Sequence, residues 1–281
     1  MNPVATCVAP IFVPAHQLER FAKAAASDAD AIILDLEDAV PADAKDFARR
    51  ALTTSFTQKP VIIRINGAGT PWHAADLDAV AALRPAAVML PKAEDPALVA
   101  ATAQRTLAPV MALIETTQGV ANARALGACG SAMRLALGSV DLVADLGCDH
   151  VRDALILARG ELVLASRLGR LPAPLDGVTT DFSDADLAAD DARYARSLGF
   201  GGKMVIHPAQ LGAVFAGFHP TDTEIAWALR VLASGDGAVA IDGMMVDEPV
   251  RRKARSILDR RDIAAYKHCG GALPIKEEII A

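Results

Sequence analysis

Short runs of apolar residues recur along the chain at Thr6 to Val13, Ala31 to Leu36, Val61 to Ile65, Ala86 to Leu90, Val110 to Ile114 and Met133 to Leu137, with weaker runs near Leu175 and Met204. Between them lie longer amphipathic stretches. Apolar runs of strand length mark strands covered on both faces, and their alternation with helical stretches predicts βαβ units and a parallel sheet. About eight repeats predict a closed α/β structure, a (β/α)8 TIM barrel, over an open doubly wound sheet, which gathers its strand ends along a crevice instead.

The pattern changes after Phe218-His219-Pro220. A helix-like segment runs from Thr221 to Ala233. A turn follows at Ser234 to Gly237, then an apolar run from Ala238 to Ile241, the segment Gly243 to Pro249, a second helix-like segment from Val250 to Arg261 and a weakly patterned tail. Gly and Pro at these points mark an appended unit rather than another barrel repeat. The predicted division is a barrel over 1–218 and a helical C-terminal segment over 219–281.

With 281 residues, 52% of them hydrophobic, the chain can bury a large core. A formal net charge of -6 and the lack of a long basic run argue against a nucleic-acid partner, while leaving room for a local basic pocket. Cys7, Cys129, Cys148 and Cys269 are widely separated, which argues against disulfides and structural zinc and fits a reducing cytoplasm. The sequence contains no leader-like N-terminus and no apolar stretch near the ~20 residues that span a bilayer, so no membrane association is expected.

The ends of the predicted strands hold the chemistry: Asp35, Glu37 and Asp38 on one, Arg64 and Asn66 on another, Pro91 and Lys92 on a third, Glu115 and Thr116 on a fourth. In a closed barrel these ends share one rim. Glu115, with Asp141 just after the next run, offers two hard oxygen ligands and open positions, as Mg²⁺ prefers; helix capping by Asp141 and a lysine partner for Glu115 fit the spacing equally well. Crowded acids at Asp35, Glu37 and Asp38 need a cation or strong donors and suit residues holding a metal's waters. The Arg64 fork suits a carboxylate or an enolate oxygen, or an ion pair with a rim acid. The same acids oppose a Schiff-base role for Lys92. His207, before a proline, reads as structural.

In order, Phe12-Val-Pro14, Asp35-Leu-Glu-Asp-Ala-Val40, Arg64-Ile-Asn66, Leu90-Pro-Lys92, Ile114-Glu-Thr116, Gly138-Ser-Val-Asp-Leu142, Lys203-Met-Val-Ile-His-Pro208 and Gly243-Met-Met-Val-Asp-Glu-Pro249 resemble the citrate lyase β-subunit-like branch of the HpcH/HpaI aldolase family. The match runs through nearly the whole chain. The resemblance implies Mg²⁺ held by Glu115 and Asp141, substrate at Arg64, Gly138, Ser139 and Val140, and CoA phosphates near Arg20 and Lys23. It also implies a homotrimer or hexamer in which residues 219–281 act as lid and oligomerisation segment and a neighbour supplies Asp247 as acid/base. Val140 departs from the pattern, since relatives often have an acid there.

The implied reaction is a reversible Claisen-type cleavage of a 3-hydroxyacyl-CoA thioester, citramalyl-CoA ahead of malyl-CoA, into a 2-oxo acid and acetyl-CoA. Asp247 accepts the hydroxyl proton and Arg64 stabilises the enolate. Other readings are a metal-dependent aldolase on free 2-oxo acids, net thioester hydrolysis, and a non-catalytic acyl-binding subunit of a lyase complex.

Overall fold

Eight parallel strands follow one another around a sheet in chain order: β1 (Pro10–Pro14), β2 (Ala31–Asp35), β3 (Val61–Arg64), β4 (Ala87–Leu90), β5 (Val110–Ile114), β6 (Ala132–Leu137), β7 (Leu175–Asp176) and β8 (Gly202–Lys203). The sheet closes where Phe12 N–H donates to Val205 O and Val205 N–H to Pro10 O, at 2.8 and 2.9 Å. The closed barrel expected from eight apolar runs is therefore the observed fold. The computed structural model describes residues 2–268 apart from 236 and 242, and excludes the side chains at 239, 241 and 261–268.

Alternation along each strand divides the core into two layers. Ile32, Leu34, Ile63, Val88, Leu90, Ala112 and Ile114 belong to the layer shared with the helices. Ala31, Ile33, Ile62, Met89, Met111, Leu113 and Ala136 form the inner cluster of the barrel. The same alternation puts Asp35, Arg64 and Glu115 at the next inward positions, on the C-terminal ends of β2, β3 and β5.

The first apolar run is longer than its strand. Its first residue, Thr6, ends the 3₁₀ turn Pro3–Thr6, and Cys7 and Ala9 are buried in the core before β1 begins at Pro10. Arg134, fully enclosed, donates from Nε to the carbonyl of Ala173 and from Nη1 to the carbonyls of Val4 and Cys7. β7 and β8 are two residues each, matching their weak apolar signal.

The chain forms two compact units, divided between Phe218 and His219. In the second, Thr221 and Glu224 form a reciprocal capping box for the helix Asp222–Ala233. Within the segment Gly243 to Pro249, residues 244–246 are strand β10 (Met244–Val246), paired antiparallel with β9 (Val239–Ile241). Gly243, at φ 75°, supplies the left-handed turn before β10. The last helix, Glu248–His268, starts earlier than the hydrophobic pattern indicates, and its Ala254 and Ile257 pack with Ala228, Val231 and Val246.

Cys7, Cys129 and Cys148 are free thiols, while Cys269 lies outside the described residues. Among the described residues no helix is long and apolar enough to cross a membrane.

Candidate functional site

Arg64 is the hub of the barrel mouth. Its Nε and Nη2 donate to the two oxygens of Asp35, each at 2.7 Å, and its Nη1 stands 3.1 Å from Glu37 and 3.8 Å from Asp38. The Phe12 ring lies against the guanidinium, 5.0 Å from centroid to Cζ. Burial works against the charge, but Asp35, Glu37 and Glu115 outweigh it and hold the group above its ordinary value. Asp35 also accepts from the backbone N–H groups of Glu37 and Ala39, so its lone pairs are taken up in fixing Arg64 and the turn after β2.

Glu37 bridges Arg64 and Lys92, whose Nζ donates to Oε1 at 2.9 Å. Burial raises the Glu37 carboxyl above its usual range, against the opposing pull of Arg64. For Lys92, burial favours the neutral amine, but the Glu37 hydrogen bond and the nearby acids prevail and hold the ammonium up. This disfavours a neutral nucleophilic lysine, in line with the reading from sequence. The backbone N–H of Lys92 donates to Glu115 Oε1 at 2.8 Å.

Glu115 is 1% exposed, and its carboxyl is held by that backbone amide rather than by a lysine side chain. Burial and the Glu37 charge push its carboxyl up to about 8, with Asp141 adding to the rise. Gly138 follows from this packing: a Cβ there would lie 2.4 Å from Glu115 Oε2 and 2.5 Å from Glu115 Cβ. Beyond it, the helix Ser139–Leu146 carries Asp141 in its first turn, with Gly138 at its N-cap. Ser139 is buried against Gly177, Val140 is 46% exposed, and His150 Nε2 lies 2.9 Å from Ser139 Oγ.

Two supporting residues went unnoticed in the sequence. Lys45, buried on the helix Lys45–Ala51, donates to Leu36 O, Glu37 O and Asn66 Oδ1 at 2.7 to 2.8 Å. Burial lowers its pKa despite the surrounding acids. Asp76, also buried, accepts from the backbone and side-chain amides of Asn66 and from Arg49. Both resemble ordinary helix-surface residues in the sequence.

The mouth thus gathers Asp35, Glu37, Asp38, Glu115 and Asp141 against Arg64, Lys92 and Lys45, a formal excess of two negative charges. Among the described residues no group of three or more His, Cys, Asp or Glu could hold a metal by itself. Glu115 and Asp141 can contribute two oxygens and leave positions for water and substrate. Arg20 and Lys23 are exposed on the helix Glu19–Ala26 that follows β1. His207 caps the turn Pro208–Gln210 through Nδ1. Asp247 belongs to the second unit, where its Oδ1 accepts from Val250 N–H at 3.2 Å.

The family model for HpcH/HpaI aldolase/citrate lyase matches residues 9–208, from just before β1 to just after β8, and so takes in the whole mouth. The chain belongs to this family. It is 40% identical over 268 residues to a citrate lyase subunit beta-like protein of Mycobacterium tuberculosis, covering 89% of this chain and 94% of that one. It is 35% identical over 273 residues to a (3S)-malyl-CoA thioesterase of Cereibacter sphaeroides, covering 92% and 95%. Among solved structures, the CitE protein of Mycobacterium tuberculosis in complex with magnesium, acetoacetate and coenzyme A superposes with a TM-score of 0.84 at 37% identity, covering 92% of this chain and 99% of that one. Family membership accords with the resemblance read from the ordered strand-end motifs.

Proposed function

We propose that this chain is a Mg²⁺-dependent carbon–carbon lyase that cleaves, or in reverse forms, a 3-hydroxyacyl-CoA thioester, giving a 2-oxo acid and acetyl-CoA. The observation that carries the proposal is Glu115: a buried carboxyl beside Asp141, in a mouth lined by further acids, offers oxygen ligands to a hard divalent cation that displaces its proton. The complex of a 37% identical protein with magnesium and coenzyme A supports both ligand classes. When bound, Mg²⁺ supplies Lewis acidity toward substrate oxygens.

The chain's own residues account for the remainder. Arg64, locked by Asp35, presents a preorganised cation where negative charge collects on the departing enolate, so little reorganisation accompanies bond breaking. In the forward direction the 3-hydroxyl loses its proton and the C2–C3 bond breaks. The hydroxyl carbon becomes the 2-oxo acid carbonyl, and the electron pair passes to the thioester enolate, which takes a proton to become acetyl-CoA. Asp247 is the proposed acceptor of the hydroxyl proton, supplied by a neighbouring subunit in a trimer or hexamer. Gly138, Ser139 and Val140 are the proposed substrate contacts; Asp35, Glu37 and Asp38 support the metal's surroundings, and Arg20 and Lys23 contact CoA phosphates. Citramalyl-CoA is the preferred substrate, with malyl-CoA next.

The thioesterase name of a 35% identical relative favours a second reading, net hydrolysis of the same thioester. Purified protein with Mg²⁺ and a panel of hydroxyacyl-CoA compounds separates the two. Cleavage releases 2-oxo acid and keeps the thioester, whereas hydrolysis releases free thiol. Binding with neither product would favour a non-catalytic acyl-binding subunit, and cleavage of CoA-free hydroxy acids would favour an aldolase on free 2-oxo acids.

A further inference from the structure

We infer that Lys92 is a positioning residue for Glu115: a strained, left-handed backbone at Lys92, pinned by its own side chain, aims an amide at one oxygen of Glu115 and leaves the other on the Asp141 side. This rests on the reading of Glu115 as a metal ligand. Lys92 sits at φ 48°, a region that costs a residue with a Cβ but not glycine. Such strain persists where the surroundings enforce it. Here β4 ends at Leu90 and Ala93 N–H rejoins the sheet by donating to Leu113 O at 3.1 Å, so Lys92 lies in a short turn that is anchored again directly after it. Its N–H is thereby turned toward Glu115 Oε1 at 2.8 Å.

The ammonium secures the same turn from the other side. Lys92 Nζ donates to Glu37 Oε1, Glu37 leans on Arg64, and the lysine stem passes over Gly67, whose missing Cβ would lie 3.9 Å from Lys92 Cδ. One residue thus ties the end of β2 to the end of β5. With Oε1 occupied by the amide, Glu115 Oε2 is the oxygen beside Gly138, which precedes the helix of Asp141. A carboxylate held by one oxygen offers the other as a single ligand atom in a fixed direction.

The charge and the backbone of Lys92 make opposing demands on a bound cation, and this separates them experimentally. Lys92→Ala and Lys92→Gly remove the same ammonium, a loss that by itself tightens cation binding equally in both. Only alanine retains the left-handed penalty, so without its pin the turn relaxes and the amide leaves Glu115. Binding of Mn²⁺ to the full-length chain, read from the free-ion paramagnetic resonance signal, should be weaker in Lys92→Ala than in Lys92→Gly by about fivefold, the equivalent of one such backbone penalty. Lys92→Asn, which tolerates left-handed backbone, should bind like the glycine variant. Equal affinity of the alanine variant with both others, at native far-ultraviolet dichroism, would overturn the inference. Glu115→Gln binding Mn²⁺ as tightly as the native chain would instead overturn the metal reading beneath it.

Discussion

Asp35 and Arg64 are paired residues on adjacent strands, in register across β2 and β3, and the carboxylate closes on the guanidinium through two hydrogen bonds of 2.7 Å. The pair fixes an orientation as well as a charge. Arg64→Lys keeps the charge and loses the fork, and Asp35→Asn keeps the shape while losing half of the clamp's acceptors. Each should lower kcat/KM by about 10²-fold, the scale of removing one preorganised donor at an oxyanion. A fall in kcat places Arg64 at the enolate, whereas a rise in KM alone restricts it to holding a carboxylate. Unchanged efficiency in Arg64→Lys removes it from the site.

The two proposed ligands make different structural contributions, because Glu115 is buried under Gly138 whereas Asp141 sits partly exposed in a helical first turn. Chelation should stop turnover while leaving the far-ultraviolet spectrum of the barrel unchanged, since the core layers need no ion. Glu115→Gln and Asp141→Asn should each raise the Mg²⁺ concentration for half-maximal activity by about tenfold or more, on the scale of a lost charged contact. Full activity of either variant at limiting Mg²⁺ would exclude that residue as a ligand.

The barrel and its mouth were legible because two periodicities carry them. Runs such as Val110 to Ile114 are apolar on both faces, and the inward alternation Met111, Leu113, Glu115 continues past the last apolar residue. Asp35 and Arg64 continue their own strands in the same way. Lys45 and Asp76 were not legible, since the face a helix turns to the barrel depends on the crossover that carries it. Nor does a lysine signal a left-handed backbone, so the amide of Lys92 on Glu115 emerges only from the folded chain. Three crowded acids announced a site, but not that Asp35 would commit both oxygens to Arg64.

The raised Glu115 pKa sets a sign for the pH dependence. In the folded, metal-free chain this carboxyl keeps its proton up to about pH 8, against an ordinary value of 4.5. Between these values the folded state binds more protons than the unfolded state, so the Glu115 contribution lowers stability as pH rises through the window. Thermal midpoints measured in chelator should show this loss in the native chain and a shallower one in Glu115→Gln, which has no proton to lose. Metal competes for the same oxygens, so Mn²⁺ affinity should rise with pH below about 8, by at most about tenfold per pH unit for one displaced proton. A flat affinity across that window would show that no proton leaves Glu115 on binding.

Asp247 joins assembly to chemistry in the proposed mechanism, and its local geometry makes a clean test possible. Its Oδ1 accepts from Val250 N–H at the start of the helix Glu248–His268, and asparagine caps helices about as well as aspartate. Asp247→Asn should therefore preserve the helix, the oligomer size and Mn²⁺ affinity while removing a proton acceptor, slowing turnover by about 10²-fold or more. If a neighbour supplies this carboxylate, mixing Asp247→Asn with an Arg64-disabled variant creates sites that combine an intact Arg64 with an intact Asp247 from the adjacent subunit. Activity should then recover in mixed oligomers, in proportion to the exchange measured by mass or by tagged pull-down. Verified exchange without recovery would leave Asp247 acting within its own chain, and full activity of Asp247→Asn alone would remove it from proton transfer altogether.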